Sequence, residues 1–370
     1  MQFLRFLLLP ISVLYGALMG IRNFLYDRKI LKATSFKIPV IGVGNLNTGG
    51  TGKTPHIEYL IRLLKNEFKV ASLSRGYGRK TSGFMLVSDL STAAMVGDEP
   101  MQYRSKFKDI TVAVGENRVA AIDNLLHLES KPEVVLLDDA YQHRAVKAGV
   151  NILLMEYDKV MDVDYPLPAG NLREWKSGMK RADAIIITKT PNILVPIERK
   201  RIIDHIEPLP HQHIYFTYYK YGDFTKIAGK QNMMSMSSSY YLEKRFTILL
   251  VTGIASPAGM IEYLRRHTDK IEMLTFSDHH EYSLRDIKKI QETFDNIANA
   301  NKIILTTEKD AMRLKDPSLE EAIKNLPLFY LPIEVQFHPG ATRDQLNFDQ
   351  YIIEHVRKNQ PHRLVHQATN

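Results

Sequence analysis

Short apolar segments rich in β-branched residues alternate with helix-like segments through most of the chain. In the first half, the pattern predicts strands at residues 39–43, 69–73, 110–114, 133–137, 151–155 and 182–188. Strands that alternate with helices form a parallel sheet covered on both faces, and such sheets bind ligands at the carboxyl ends of their strands. We therefore predict an α/β domain over residues 36–212, with its functional residues directly after the strands.

The pattern changes at residue 213, where an aromatic, alternating segment begins. Residues 213–245 are predicted as a hinge strand and linker, and residues 246–330 as a second, smaller α/β domain with strands at 246–251, 270–276 and 302–306. Ser283 followed by Asp286 predicts a helix start. Residues 331–357 are predicted as a return strand, which completes a two-stranded hinge with the aromatic strand, and a C-terminal helix. Residues 358–370 are predicted to be disordered.

The N-terminal segment, residues 1–35, is predicted as a membrane-associated helix. Sixteen residues without a formal charge separate Arg5 from Arg22, fewer than the about 20 that a transmembrane helix needs. A secretory signal would require a small-residue cleavage site, which is not evident. We expect a peripheral or monotopic helix in the cytoplasmic face of the inner membrane, and a buried core helix is the alternative. Basic residues for anionic headgroups flank it at Arg5, Arg22, Arg28, Lys29 and Lys32.

Composition limits the possible partners. The 370 residues are 44% hydrophobic and 24% charged, as in an ordinary soluble globular protein, and the net charge is +8. A positive charge favours nucleotides, phosphorylated substrates, anionic lipids or nucleic acids without choosing among them. The absence of cysteine excludes disulfides and thiolate metal sites and fits a reducing compartment.

A glycine-rich loop directly after the first predicted strand carries the most specific chemistry. Glycines allow the backbone to wrap a polyphosphate, while a lysine adds charge and a threonine hydroxyl can hold Mg²⁺. The strict motif has glycine where this chain has Asn47, although Asn tolerates a left-handed turn. We predict a P-loop NTPase-like domain that binds a nucleoside triphosphate; a ligand-free turn is the alternative. The predicted nucleotide-binding residues are Asn47, Thr48, Gly49, Gly50, Thr51, Gly52, Lys53 and Thr54.

Further polar residues follow other predicted strands. Asp138 and Asp139 end a buried-type strand, as expected of acids that hold Mg²⁺ or its water shell, although one of them could cap a helix. Arg75 lies in a glycine-bearing turn, where its guanidinium can make bidentate hydrogen bonds to phosphate oxygens. Asp98 follows Gly97, either as a simple helix start or as the carboxylate that accepts a proton from an attacking hydroxyl.

The smaller domain carries an Asp278-His279-His280 segment. Its histidines are either a metal pair or, as we prefer, a group that closes over the first domain and orients a carboxylate. Thr188-Lys189 and residues 306–310 have only a faint likeness to the base-reading motifs of GTP-binding proteins, so they do not indicate GTP.

Taken in order, the motifs resemble those of the tetraacyldisaccharide 4′-kinases of lipid A biosynthesis. The resemblance covers nearly the whole chain, and it departs from the family pattern at Ala140, usually Gly, and Trp175, usually Pro. The matching segments are residues 22–27, 43–55, 74–77, 97–100, 138–144, 167–174, 181–183, 278–280 and 307–310.

The resemblance implies an enzyme that moves the γ-phosphate of ATP to the 4′-hydroxyl of an acylated glucosamine disaccharide 1-phosphate. It implies that Asp98 is the general base with His279 as its partner, and that Lys53 holds the β- and γ-phosphates. The remaining implied residues are Thr54, Asp138, Asp139 and Glu174 for Mg²⁺, and Arg75, Gln142, His143 and Arg173 for the phosphate and sugar site.

Two other classes of function remain. A membrane-surface ATPase switch would use the same loop with hydrolysis as its output, but it needs no second domain with an Asp-His-His segment. Nucleic-acid binding rests on the net charge alone, without a recognisable module, and no obligate protein partner is evident.

Overall fold

Two β-sheets organise the chain. The computed structural model describes residues 2–228, 237–254, 256–340 and 346–360. The strands are β1 (Val40–Asn45), β2 (Val70–Ser74), β3 (Met85–Leu86), β4 (Thr111–Val114), β5 (Val134–Asp138), β6 (Val150–Glu156), β7 (Ala184–Thr188), β8 (His213–Tyr221), β9 (Thr225–Ala228), β10 (Thr247–Thr252), β11 (Ile271–Thr275), β12 (Lys302–Thr307), β13 (Leu328–Leu331) and β14 (Ile333–Phe337).

Helices cover both sheets. They are α1 (Gln2–Asp27), α2 (Lys53–Leu64), α3 (Ala93–Val96), α4 (Asp98–Lys106), α5 (Arg118–Leu126), α6 (Pro196–Ile206), α7 (Ser238–Glu243), α8 (Ala258–Arg265), α9 (Leu284–Asp295), α10 (Glu308–Leu314), α11 (Glu320–Ile323) and α12 (Phe348–Lys358). Short 3₁₀ turns lie at Tyr157–Lys159, Lys176–Arg181 and Pro317–Leu319.

The larger sheet has the strand order β14-β8-β7-β6-β1-β5-β2-β4-β3, and its strands from β8 to β4 are parallel. The central strands β1, β2, β5 and β7 are buried along their full length, because helices cover both faces of the sheet. The α/β class predicted from the alternation of strands and helices is confirmed. Parallel strands bring the residues after β1, β2, β5 and β7 to one edge.

The smaller sheet has the order β11-β10-β12-β13-β9, with only β9 antiparallel. Helix α9 begins as predicted: Ser283 and Asp286 form a reciprocal capping box at its first turn. The predicted hinge segment is divided between the two sheets. β8 pairs with β7 in the larger sheet, whereas β9 belongs to the smaller one.

The predicted pairing of the aromatic strand with the returning strand is present. Ile333–Phe337 runs antiparallel to the second half of β8, and the chain passes between the sheets only from β8 to β9 and from β13 to β14 in the described part. Helix α12 then returns to the larger domain, where the Tyr59 hydroxyl donates to Asp349 at 2.6 Å. The predicted disordered tail falls mainly on residues 361–370, which lie outside the described residues.

Helix α1 is longer than the sequence argument assumed. Its charged ends are part of the helix, so Leu7–Asp27 is long and apolar enough, by length and composition, to cross a membrane. The exclusion of a span from the sixteen-residue uncharged run was therefore wrong, because a helix continues through Arg22 to Asp27. Length alone leaves open whether α1 spans a bilayer or lies in its surface.

One face of α1 packs on the larger domain. The Ser12 hydroxyl accepts from the Ala169 amide at 2.8 Å, the Tyr15 hydroxyl donates to the Arg173 carbonyl at 3.1 Å, and the Asn23 amide donates to Glu174 at 2.6 Å. The other face exposes a row of large apolar side chains. These are Leu7, Ile11, Val13, Leu14, Leu18, Ile21 and Phe24.

Gly16 allows the close approach of α1 to Trp175, the single tryptophan of the chain. A Cβ on Gly16 would lie 2.5 Å from the indole Nε1, whereas a Cβ on Gly20 would meet no atom within 4 Å.

Alanine normally stabilises a helix by about 1 kcal/mol relative to glycine. We expect Gly16→Ala to lower the melting temperature and shift the tryptophan emission to the red, and Gly20→Ala to do neither. Fluorescence and thermal unfolding in detergent measure both; identical behaviour of the two variants would contradict the packing described.

Candidate active site

The glycine-rich loop connects β1 to α2 at the carboxyl edge of the larger sheet. Gly49 and Gly52 have positive φ values of 111° and 90°, and a Cβ on Gly52 would lie 2.2 Å from the Tyr219 hydroxyl. The loop is held from outside by the Thr48 amide, which donates to the Asn171 carbonyl at 2.7 Å. Glycine at position 52 is therefore required both by its backbone conformation and by its neighbour.

Lys53 begins α2 and points toward the end of β5. Its Nζ lies 3.3 Å from Asn45 Oδ1 and 3.5 Å from Asp139 Oδ1. Arg173 Nη1 donates to both Asp139 oxygens, at 2.8 and 2.9 Å. Burial would raise the pKa of Asp139, but Lys53 and Arg173 together hold it below its ordinary value. Two cations thus meet on one ionised carboxylate beside the loop.

Asp138 has the opposite environment. It is buried at the end of β5, where Oδ2 accepts from the Tyr103 hydroxyl at 2.8 Å and Oδ1 has no hydrogen-bond partner among the described residues. Burial raises the pKa of Asp138 to about 6, and the charges of Glu99 and Asp139 add to this effect against that of Lys53. A buried carboxylate oxygen in a negative environment is a suitable ligand for a cation.

A positive cluster faces these acids. Arg118 starts α5 and is buried; its Nη1 donates to the Gly115 carbonyl, while Nε and Nη2 have no partner in the residues that the structure describes. Burial lowers the pKa of Arg118 to about 10. Burial, and next the charge of Arg118, lower the pKa of His143 to about 4. Arg75, exposed after β2, adds to the same positive field. Donors arranged in this way suit an anion.

Sequence reasoning missed Arg118. It could have been found, because it follows the predicted strand at residues 110–114 in a polar turn. Arg75 and Asp138 were selected by the same rule, that ligands bind at the carboxyl ends of the strands.

Thr54 lies half-buried in the first turn of α2, next to Lys53.

Gln142 and Glu174 form a separate group near α1. The Gln142 amide donates to the Asn45 carbonyl at 2.9 Å and to Glu174 Oε1 at 3.1 Å. Arg181 donates to both Glu174 oxygens, at 2.9 and 2.8 Å, and Asn23 donates to Oε2. The bonds of Glu174 are therefore to an arginine and two amides, which favours a role in orienting Gln142 over the predicted role as a metal ligand.

The two domains meet at Asp98, the first residue of α4. Its Oδ2 lies 3.3 Å from His279 Nδ1 and accepts from Arg313 Nε at 2.8 Å and Nη2 at 2.6 Å. Burial alone would raise the pKa of Asp98, but the bonds from His279 and Arg313 lower it to about 2. The carboxylate is ionised at any physiological pH.

The two histidines of the smaller domain face different ways. His280 Nε2 lies 3.2 Å from Asp286 on α9, and its ring stacks on Phe276, so His279 is the histidine that faces the larger domain. In the described ranges, no group of three or more His, Asp or Glu side chains has the arrangement of a metal site.

Helix α4 joins the parts of the site. Asp98 and Glu99 lie in its first turn, and its fully buried Tyr103 donates to Asp138. The structure thus brings together the phosphate loop, the Asp138-Asp139 pair and the Asp98-His279 contact that the sequence predicted, and it adds Arg118 and Arg313. The catalytic and binding roles of these residues remain predictions.

Comparisons with known proteins agree on one family. Residues 4–350 match the model of the tetraacyldisaccharide-1-P 4′-kinase family. A tetraacyldisaccharide 4′-kinase from Flavobacterium johnsoniae is 47% identical over 97% of this chain and 99% of its own length. One from Bacteroides thetaiotaomicron is 46% identical over 95% of this chain and 93% of its own length. A crystal structure of LpxK from Aquifex aeolicus in complex with ATP has a TM-score of 0.70 and 27% identity, and the match covers 96% of this chain and 99% of that one.

The two adjacent aspartates are expected to affect stability in opposite directions. The raised pKa of Asp138 means that its ionised form costs the fold about 3 kcal/mol above pH 6, a cost that disappears as pH falls toward 4. The lowered pKa of Asp139 means that its charge contributes stability at neutral pH, and this contribution is lost in acid. Without nucleotide or metal at pH 7.5, we expect Asp138→Asn to raise the melting temperature and Asp139→Asn to lower it. Equal effects of the two variants, or a gain from Asp138→Asn that persists at pH 4, would contradict this electrostatic account.

Proposed function

This chain belongs to the tetraacyldisaccharide-1-P 4′-kinase family, and from that premise we propose that it phosphorylates the 4′-hydroxyl of a tetraacyldisaccharide 1-phosphate with ATP. The observation that carries the proposal is the position of Asp98. A half-buried, ionised carboxylate lies where the smaller domain meets the first turn of α4, about one and a half turns before the Tyr103 that bonds the Asp138 carboxylate. A site that only hydrolysed ATP would not need a carboxylate that is bonded from the second domain.

The phosphate loop supplies the donor half of the reaction. The loop from Asn47 to Gly52 offers its glycine backbone amides to the ATP phosphates, while the Thr48 and Thr51 amides hold the loop in shape. The α2 N-terminus adds its partial positive charge. Lys53 and Arg173 exchange the Asp139 carboxylate for phosphate oxygens when the nucleotide arrives. Both cations already lie together, so little rearrangement is required.

The residues present fit Mg²⁺ with ATP. Asp138 Oδ1 is a buried oxygen without a hydrogen-bond partner in the described chain, and Thr54 provides a hydroxyl at the position where phosphate loops bind the ion. Nucleotide-bound Mg²⁺ takes most ligands from phosphate and water, so one or two protein oxygens suffice. When bound, the ion neutralises charge on the β- and γ-phosphates. We propose Thr54 and Asp138 as its residues, with Asp139 acting through water.

Asp98 acts on the acceptor. The 4′-hydroxyl oxygen forms a bond to the γ-phosphorus while the bond from that phosphorus to the β-phosphate oxygen breaks; ADP leaves, and the hydroxyl proton passes to Asp98. His279 and Arg313 both contact Oδ2, so Oδ1 is the oxygen that receives the proton. A low pKa is compatible with this role because phosphoryl transfer depends mainly on positioning and charge neutralisation.

The remaining polar residues bind the acceptor. Arg75 and Arg118 form the positive field in which an anionic group of the disaccharide phosphate or of the nucleotide is stabilised. His143, which is neutral because its pKa is lowered to about 4, offers a hydrogen bond beside them. Gln142 offers its amide to the sugar and is oriented by Glu174.

Helix α1 brings the site to its lipid substrate. Its exposed apolar row faces away from the domain, while its polar contacts end on Arg173, Glu174 and Gln142. An acylated substrate stays in the bilayer, so an active site anchored beside it meets substrate by lateral diffusion. We propose that the chain works at the cytoplasmic face of the inner membrane, where ATP is present.

The kinase proposal is tested by phosphoryl transfer to a lipid. With Mg²⁺ and γ-labelled ATP, we expect label on a detergent-dispersed tetraacyldisaccharide 1-phosphate. Asp98→Asn and Asp98→Ala should lower kcat by about 10²- to 10⁴-fold with ATP affinity retained, because Asp98 does not touch the phosphate loop. Asp89→Ala is the control, since Asp89 is an exposed carboxylate paired with Arg104 and Lys108. ATP hydrolysis without lipid label in the wild type would leave the ATPase switch as the better description.

The membrane proposal is tested by charge on the exposed row of α1. Leu14→Glu with Leu18→Glu should release the protein from anionic vesicles in a sedimentation assay, because both side chains are more than half exposed and ionised carboxylates do not enter the acyl region. Ile193→Glu with Ile197→Glu adds the same charge at exposed positions outside α1 and should leave binding unchanged. Equal loss in both pairs would mean that net charge, and not α1, governs binding.

A further inference from the structure

We propose that Arg313 is a positioning residue for Asp98, which holds the base in its reactive orientation only while the smaller domain is closed on the larger one. The inference rests on the proposed kinase function and extends it to a residue of the smaller domain that touches neither phosphate loop nor Asp138.

Arg313 is anchored from behind within the smaller domain. Its Nη1 donates to Asp310 Oδ1 at 3.0 Å and to the Gly253 carbonyl at 3.1 Å. Asp310 is fully buried and is itself fixed, since its Oδ2 accepts from the Thr307 hydroxyl at 2.7 Å and from the Gly253 amide at 3.0 Å. The guanidinium is therefore a rigid part of the smaller domain, and not a mobile surface cation.

The opposite edge of the guanidinium reaches across the cleft. Nε and Nη2 both donate to Asp98 Oδ2, and His279 Nδ1 lies near the same oxygen. In the described part of the chain no hydrogen bond ends on Asp98 Oδ1. Three contacts on one oxygen fix the carboxylate plane and leave the second oxygen for the acceptor hydroxyl, which is the geometry that a general base requires.

Opening of the domains would break this arrangement. All three contacts come from the smaller domain, whereas Asp98 belongs to α4 of the larger one, so separation would leave the carboxylate without the bonds that orient it. Closure of the domains therefore also orients the base, as in enzymes where a closing domain completes the set of catalytic residues.

The same helix pair carries two further ion pairs that do not involve Asp98. Lys309 Nζ lies 2.7 Å from Glu99 Oε1, and Lys106 Nζ lies 2.6 Å from Glu308 Oε1. Lys309 is also on α10 and also bridges to the first turn of α4. It provides a matched control, because its removal weakens the contact between the domains without removing a bond to the base.

Removal of the Arg313 charge changes how Asp98 titrates. The groups that face this carboxylate are Arg313 and Lys309 from α10, His279 from the loop after β11, and Glu99 beside it on α4. With Arg313 gone, burial acts against fewer compensating charges, so the pKa of Asp98 rises and the acid limb of kcat/KM moves upward.

The test compares Arg313→Gln, Arg313→Lys and Lys309→Met in the lipid phosphorylation assay between pH 4.5 and 9. Asp98 of the wild type, with its pKa lowered to about 2, gives no acid limb in this range. We expect Arg313→Gln to lower kcat by about 10- to 100-fold, with KM for ATP within about twofold, and to raise the acid limb toward this range, so that kcat/KM falls at its acid end. Arg313→Lys keeps the charge but loses the two-bond contact, so kcat should recover in part and the pH profile should stay near that of the wild type. Lys309 acts on Asp98 through its charge alone, so Lys309→Met should shift the acid limb less than Arg313→Gln does.

Each other outcome has a definite meaning. A folded Arg313→Gln with the wild-type kcat and pH profile overturns the inference, and so does an increase in kcat, which would make the ion pair inhibitory. An equal shift of the acid limb in Lys309→Met would assign the effect to domain contact in general and would also overturn it. If Arg313→Gln does not fold, Arg313→Lys decides: kcat several-fold below that of the wild type supports the inference, and an unchanged kcat refutes it. A wild type that never labels the lipid refutes instead the function on which the inference rests.

Discussion

The candidate site depends on one physical constraint: charged side chains are buried there with fewer hydrogen bonds than they can make. Asp138 has one oxygen without a hydrogen bond, Arg118 has two such nitrogens, and both lie at the carboxyl edge of the larger sheet. A stable fold normally pairs such groups, since each costs several kcal/mol when left alone. Their opposite signs offset part of this cost, because the charge of Asp138 raises the pKa of Arg118 against the effect of burial. The rest is consistent with a site completed by a cation and by phosphate, which are the two components of a magnesium nucleotide.

The same principle explains the contact between the domains. The covalent connection consists of two strand crossings, beside which β8 pairs with β14, so a narrow link joins the two domains. The closed arrangement is held mainly by charged side chains between α4 and α10. Ion pairs that are partly buried are specific in geometry but contribute little net stability. A cleft closed by such ion pairs has a well-defined geometry, and little free energy is needed to open it. A kinase that must admit a large lipid requires both properties.

How far the sequence predicted the structure depended on the range of the interaction. The strands, the phosphate loop and the capping box of α9 follow from local patterns, and these predictions agree with the structure to within one or two residues at most strand ends. The positions of Asp98 and His279 near each other came from a family resemblance and not from spacing. Arg313 was missed because its partner is 215 residues away and its own helix reads as an ordinary amphipathic segment. Glu174 was assigned to a metal because nothing local reveals that Arg181 and Asn23 occupy its oxygens.

Helix α1 joins the membrane contact that we propose to the candidate active site. Asn23 and Arg22 lie in the last turns of the helix and bond to Glu174 and to the Gln142 carbonyl, so the helix is attached at the wall of the site and not at a distant surface. Glu174 in turn bonds Gln142, whose amide reaches the carbonyl at the start of the phosphate loop. A displacement of α1 would therefore move a residue that we assign to the sugar. The contacts on the domain side are short and partly buried, and the other side of the helix is apolar. If α1 lies in a bilayer as we propose, the helix would set both the depth of the protein in the bilayer and the place where the acceptor headgroup enters, so the two could not vary independently.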